Sequence, residues 1–161
     1  MLISPKGKGL HIPNFTLPPR GTMRLFPRTH QLPARLAAGA YILNSGIDMA
    51  GADQDTVAGV HGMAAGTYPF LSKQDPARFV GLLSKAQIAV GAALLVPVVP
   101  SFVAGAALTA FAGGLVGLYL RTPGMRREGS LRPSQQGIAL AKDFWLLGIG
   151  LSLMAEEVLD R

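Results

Sequence analysis

Six polar residues stand within or at the ends of apolar runs, and they are the side chains placed to do buried chemistry: Asn44, Asp48, Lys85, Gln87, Lys142 and Asp143. An ionised group inside a bilayer costs about 2.5 to 3.5 kcal/mol, so it normally has a partner or a purpose. Two of the six are basic and two acidic, so the set can neutralise itself across helices. Asn44 and Asp48 share a helix face at i, i+4. Lys142 and Asp143 lie about 100° apart on a helix, so each must look to another helix. Lys85 and Gln87 point to nearly opposite sides; Gln87 is expected to face inward, with Lys85 snorkelling to the interface or pairing with Asp48. Three chemistries fit such a cluster: hydrogen-bonding glue between helices, a pocket for a quinone, lipid headgroup or other small ligand, and proton transfer. Spacing alone does not choose among them.

Other chemistries are easier to set aside. The chain has no cysteine, which removes disulfides, thiol nucleophiles, Cys-ligated zinc and iron–sulfur clusters. A membrane haem wants histidines within helices, but His11 and His30 fall in the N-terminal tail and His61 in a connecting segment. No Walker loop, dinucleotide fingerprint, or serine or zinc hydrolase motif is present. No cofactor or metal is therefore expected, and no residue is assigned a catalytic role. The net charge of +6 raises the question of nucleic acid, but the basic residues flank apolar runs instead of gathering on a soluble face. Arg20, Arg24, Arg28 and Arg35 precede the first run, and Arg121, Arg126, Arg127 and Arg132 separate the third from the fourth. That placement suits anionic lipid headgroups.

The elements that must position the polar set are membrane helices. Of 161 residues, 49% are hydrophobic, and residues 102–120 run nineteen positions without a charge. About 20 apolar residues at 1.5 Å each cross a hydrocarbon core of about 30 Å. A 17 kDa chain has too little surrounding protein to wrap several all-round-apolar helices in water. The fold class expected is an all-α membrane protein, a four-transmembrane-helix bundle with a Pro-rich basic N-terminal extension. The spans fall near 34–52, 79–96, 102–120 and 137–155. Pro33 suits the first turn of the first span, while Pro97 and Pro100 close the second. Residues 53–78 hold a mildly apolar piece, 56–65, too short to cross and suited to a surface or re-entrant helix. If the helices alternate in direction, Asp48, Lys85, Lys142 and Asp143 all reach the same mouth of the bundle.

Small residues are dense in the second and third spans, and Gly113 and Gly117 form a GxxxG spacing that would let helix backbones approach closely. Residues 1–33 are rich in proline, basic and without helical or strand period, so this extended tail is expected to need a partner to lie against. Pro5, Pro13, Pro18 and Pro19 interrupt any apolar signal-peptide core there.

Three stretches in order resemble one family. The pattern Arg35-x3-Gly39-x-Tyr41-x3-Ser45-Gly46-x-Asp48 resembles the first helix of the DoxX family of small integral membrane proteins. Gln87-x3-Gly91-x3-Leu95 resembles its second, and Lys142-Asp143-x3-Leu147-Gly148 the Lys-Asn start of its fourth. The resemblance covers about residues 34–157; it departs at Asp143, where the family commonly has Asn, and the basic tail has no counterpart. It implies a non-catalytic accessory or scaffolding subunit of a larger membrane-bound redox complex, plausibly of the respiratory chain. The partners implied are other integral membrane subunits, besides membrane lipids. The rival functions are a quinone-reactive or substrate-binding oxidoreductase subunit and a small transporter or lipid-binding protein. The family also implies the plasma (inner) membrane, with multiple passes and cytoplasmic termini. Lysine and arginine counts do not fix that orientation, because the tail and Arg161 together balance the two longer connections.

Overall fold

The computed structural model of the chain describes residues 27–159. Residues 1–26 of the expected tail lie outside the described residues. The described residues form six α-helices: α1 (Leu32–Ala50), α2 (Gln54–Thr67), α3 (Pro76–Leu95), α4 (Ser101–Arg121), the single turn α5 (Ile138–Ala141) and α6 (Asp143–Leu159). Pro33 and Pro76 sit in the first turns of α1 and α3, where a missing N–H costs nothing. Asp75 and Asp53 cap α3 and α2 by accepting from the backbone N–H of Arg78 (2.9 Å) and Thr56 (2.8 Å). Hydrogen bonds from Thr56 hold the exposed Asp53 carboxyl below its ordinary range, so this cap persists at neutral pH and is lost only as acid protonates it.

Among the described residues three helices are long and apolar enough to cross a membrane: Pro76–Leu95, Ser101–Arg121 and Ile138–Leu159. At 20 to 22 residues each, they match the thickness of a hydrocarbon core. The last is not the continuous helix expected from sequence, because the chain breaks at Lys142 between α5 and α6. The mildly apolar piece of the first connection is a helix of 14 residues, α2, followed by a 3-10 turn at Pro69–Lys73.

The helices pack as two antiparallel pairs, α1 with α3 and α4 with α6, joined through a core that includes Ile42, Val90, Leu94, Leu108, Leu146 and Leu153. Chain direction follows from the contacts. Gly39 lies against Leu94 and Leu95, whereas Gly46, further along α1, lies against Gln87 and Ile88, earlier in α3. Both pairs meet at glycines. A Cβ on Gly91 would come within 2.6 Å of the Leu43 backbone nitrogen, and one on Gly105 within 2.8 Å of the Gly150 carbonyl oxygen. Backbone at that distance leaves no room for a methyl group.

Within the bundle the GxxxG pair meets no neighbouring helix. A Cβ at Gly113 would meet nothing within 4 Å, and Gly117 faces the Tyr68 hydroxyl instead of a helix. The reason is the stripe α4 buries, Ala104, Leu108, Ala112, Val116 and Tyr119, which turns Gly113 outward. Gly117 instead gives Tyr68 room to lie across α4 and donate to the Gly114 carbonyl at 3.0 Å.

Candidate functional site

Two polar places interrupt the apolar interior, one at each end of the bundle. At the first, α3 ends at Leu95, and Pro97 and Pro100 prevent it from continuing. The last carbonyls of a helix have no N–H partners of their own and carry the negative end of its dipole. The Arg35 side chain, 1% exposed, supplies them. Its Nε donates to Leu94 O (2.9 Å), Nη2 to Ala93 O (2.9 Å) and Val96 O (3.0 Å), and Nη1 to Val99 O and the Ser101 Oγ, both at 3.0 Å. All five guanidinium donors are thus used.

The network continues from there. Ser101 Oγ donates to Gln31 Oε1 at 2.6 Å, and Gln31 Nε2 donates to Glu156 Oε2 at 2.7 Å, where His30 Nε2 also lies at 2.9 Å. Four helix ends, those of α1, α3, α4 and α6, are tied by one chain of hydrogen bonds. Arg35 was grouped by sequence with the arginines facing headgroups; it belongs inside. The missed signal is periodic. Arg35, Ala38, Gly39, Ile42 and Gly46 form the single buried stripe of α1, and Arg35 begins it.

At the opposite end, the structure separates the six sequence-predicted residues into an inner pair and outer ones. Gln87 and Asp143 are 8% and 5% exposed, and both line a cavity of about 180 Å³ together with Tyr41 and Ser45. Gln87 Oε1 is buried with no hydrogen-bond partner, and Asp143 makes no side-chain hydrogen bond or ion pair among the described residues. Its position in the first turn of α6 sets the carboxylate where the positive end of the helix dipole favours an anion.

The other four residues point outward. Asn44 Nδ2 donates to Asp48 Oδ2 at 3.0 Å, an i, i+4 bond on the exposed face of α1. Lys142 lays its Nζ 5.7 Å from the centre of the Tyr41 ring. Lys85 is exposed and forms no ion pair with Asp48 among the described residues.

The small cavity adjoins a larger one of about 750 Å³ walled by α2, α3, α4 and α5, and the two share Gln87, Phe111, Leu115, Ala139 and Leu140. The larger chamber is lined mainly by apolar side chains, among them Met49, Met63, Phe79 and Met125. Met side chains adapt their shape to what they touch. The chamber was not legible in sequence, since its walls come from segments scattered between Met49 and Leu140. His61 lies outside it and uses its Nε2 on the Leu71 carbonyl at 3.1 Å. No group of three or more metal-ligating side chains occurs among the described residues. Chemically, the arrangement can bind: it offers apolar surface ending in an unpaired amide and a carboxylate. Set against family models, curated proteins and solved structures, the chain matches none.

Proposed function

We propose that the chain is a non-catalytic accessory subunit of a larger membrane-bound redox complex of the respiratory type. In this reading it spans the plasma membrane four times, α1 supplying the fourth crossing, with both termini on the cytoplasmic side. One observation carries the non-catalytic part. Arg35, the most deeply buried cation, spends every donor on the backbone carbonyls and the hydroxyl that hold α1, α3 and α4 together, so none is left for a substrate. Four of the residues behind the family resemblance, Arg35, Gly39, Gly46 and Gly91, serve the contact between α1 and α3. They build a scaffold. The redox setting rests on that resemblance alone.

Lipid is the second partner in this reading. The loop after α4 forms a cleft of about 480 Å³ bordered by Arg121, Arg126 and Arg127 with one acid, Glu128, at the level where that helix ends. Anionic headgroups fit a basic cleft at that depth.

Purification through a tag on this chain in mild detergent tests the proposal. Respiratory or other redox subunits should co-purify in fixed stoichiometry. A chain cut before Pro27 keeps the tie from Gln31 to Glu156 and should stay folded while losing its partner. A lone, monodisperse protein that itself oxidises or reduces a quinone would overturn the reading.

A further inference from the structure

We infer that the paired cavities between α2, α3, α4 and α5 form a binding site for one neutral amphipathic lipid whose head carries hydroxyl groups. Its hydrocarbon tail would lie in the larger chamber and its head against Gln87 and Asp143. This goes beyond the subunit role and stands whether or not that role is correct.

Size and lining come first. A chamber of about 750 Å³ lies within the range of pockets that bury a drug-sized molecule, and its apolar walls give a hydrocarbon chain the contacts it would have in lipid. The three Met residues in the lining let it close on a flexible chain. Polarity at one end comes next. A buried polar side chain without a partner is rare, because leaving it unpaired costs about 1 to 3 kcal/mol. Here Gln87 Oε1 on α3 is such a group, and the Asp143 carboxyl on α6, which makes no side-chain hydrogen bond among the described residues, lines the same cavity. A tail alone would leave both unpaired.

Water accounts for only part of this. A polar cavity of about 180 Å³ can hold several ordered waters, but the larger apolar chamber next to it is the kind of space that stays dry or takes up an apolar guest. The guest must therefore be apolar over most of its length and polar at one end.

Charge then selects the head. Asp143 is the acidic residue lining the inner cavity; Lys142 acts on it only through space while its ammonium rests over the Tyr41 ring, and Lys85 is exposed. A phosphate or carboxylate head would meet Asp143 with like charge in a low-dielectric place. A hydroxyl head instead donates to the Asp143 carboxylate and to Gln87 Oε1 and accepts from the Gln87 amide, pairing every group left open. The basic cleft after α4 and this chamber thus take lipids of opposite preference, an anionic head at the surface and an uncharged one inside.

The full chain, purified in mild detergent and stripped of co-purifying lipid, tests this with a tail-matched pair of probes, 1-oleoylglycerol and oleoyl lysophosphatidate. Native mass spectrometry counts the molecules retained. One oleoylglycerol per chain should bind, and the phosphate probe at least about tenfold more weakly. Gln87→Leu and Asp143→Leu should each weaken oleoylglycerol about tenfold, as expected for loss of a buried hydrogen bond. Ala139→Phe fills space shared by both cavities and should abolish binding while leaving the melting temperature within a few degrees; it keeps the test decisive if Asp143→Leu fails to fold. Equal or tighter binding of the phosphate probe would overturn the inference. So would retention unchanged in all three variants, which marks a detergent-like belt, or no binding together with a more stable Gln87→Leu chain, which marks a water-filled packing fault.

Discussion

Replacing Arg35 with alanine is expected to lower the unfolding free energy of the solubilised chain by on the order of 3 to 5 kcal/mol, among the largest effects any single substitution here can have. The guanidinium holds four backbone carbonyls and one hydroxyl at 2.9 to 3.0 Å. Truncation strips those acceptors of their donor and empties a large buried volume, where the Arg35 side chain is one of the biggest wholly enclosed. Water can reach some of these carbonyls at the bundle end, so the loss is less than five full hydrogen bonds. Arg35→Lys should fall between the two, since an ammonium has three donors and no planar fork to span five acceptors around the turn at residues 96–101. Denaturant-induced unfolding in micelles, followed by helix content, measures both. A cost below about 1 kcal/mol for the alanine variant would mean that the turn after α3 is held by its prolines alone.

The second large effect belongs to the glycines where helices touch. Gly91→Val should destabilise the bundle by about 2 to 3 kcal/mol or more, because its Cβ would sit 2.6 and 2.8 Å from the Leu43 backbone N and Cα. Backbone cannot rotate out of the way as a side chain does, so α1 and α3 must separate, loosening Gly39 and Gly46 along the same seam. Gly150→Val should act similarly on α4 and α6, where a Cβ would lie 2.9 Å from the Gly105 carbonyl oxygen. Gly113→Val is the control, and its stability should stay within about 0.5 kcal/mol of the parent. Valine is the better helix former of the two, so equal losses at positions 91 and 113 would show that the cost does not come from the α1–α3 interface.

These glycines also show how far the sequence could be followed. A dense set of small residues announces that helix backbones come close, and Gly113 with Gly117 has the spacing associated with such contacts. In lipid the tails are as apolar as the side chains, so hydropathy does not mark which face of a helix is covered. α4 carries small residues on more than one face, and only the position of α6 decides that Gly105 is the contact and Gly113 is open. Gln87 and Lys85 were easier. Two residues apart on a helix they must diverge, and an amide is the cheaper of the two to bury. Lys142 was harder, since the break between α5 and α6 that turns it toward Tyr41 leaves little trace in an apolar run without proline.

By itself the sequence determined that this is a helical protein with helices apolar enough for a membrane, three among the described residues where four were expected, where those helices lie, and which polar residues had to be accommodated within them. Length, hydropathy and proline placement are properties of one segment at a time, and one segment suffices to read them. Tertiary structure decided which helices pair, that Arg35 closes the end of α3 instead of meeting headgroups, and that Gln87 and Asp143 share one cavity while Asp48 and Lys85 remain apart. Each of those depends on groups far apart in the chain converging to contact, to hydrogen-bond range or to one cavity wall, and no local pattern encodes which distant carbonyl a buried donor will find.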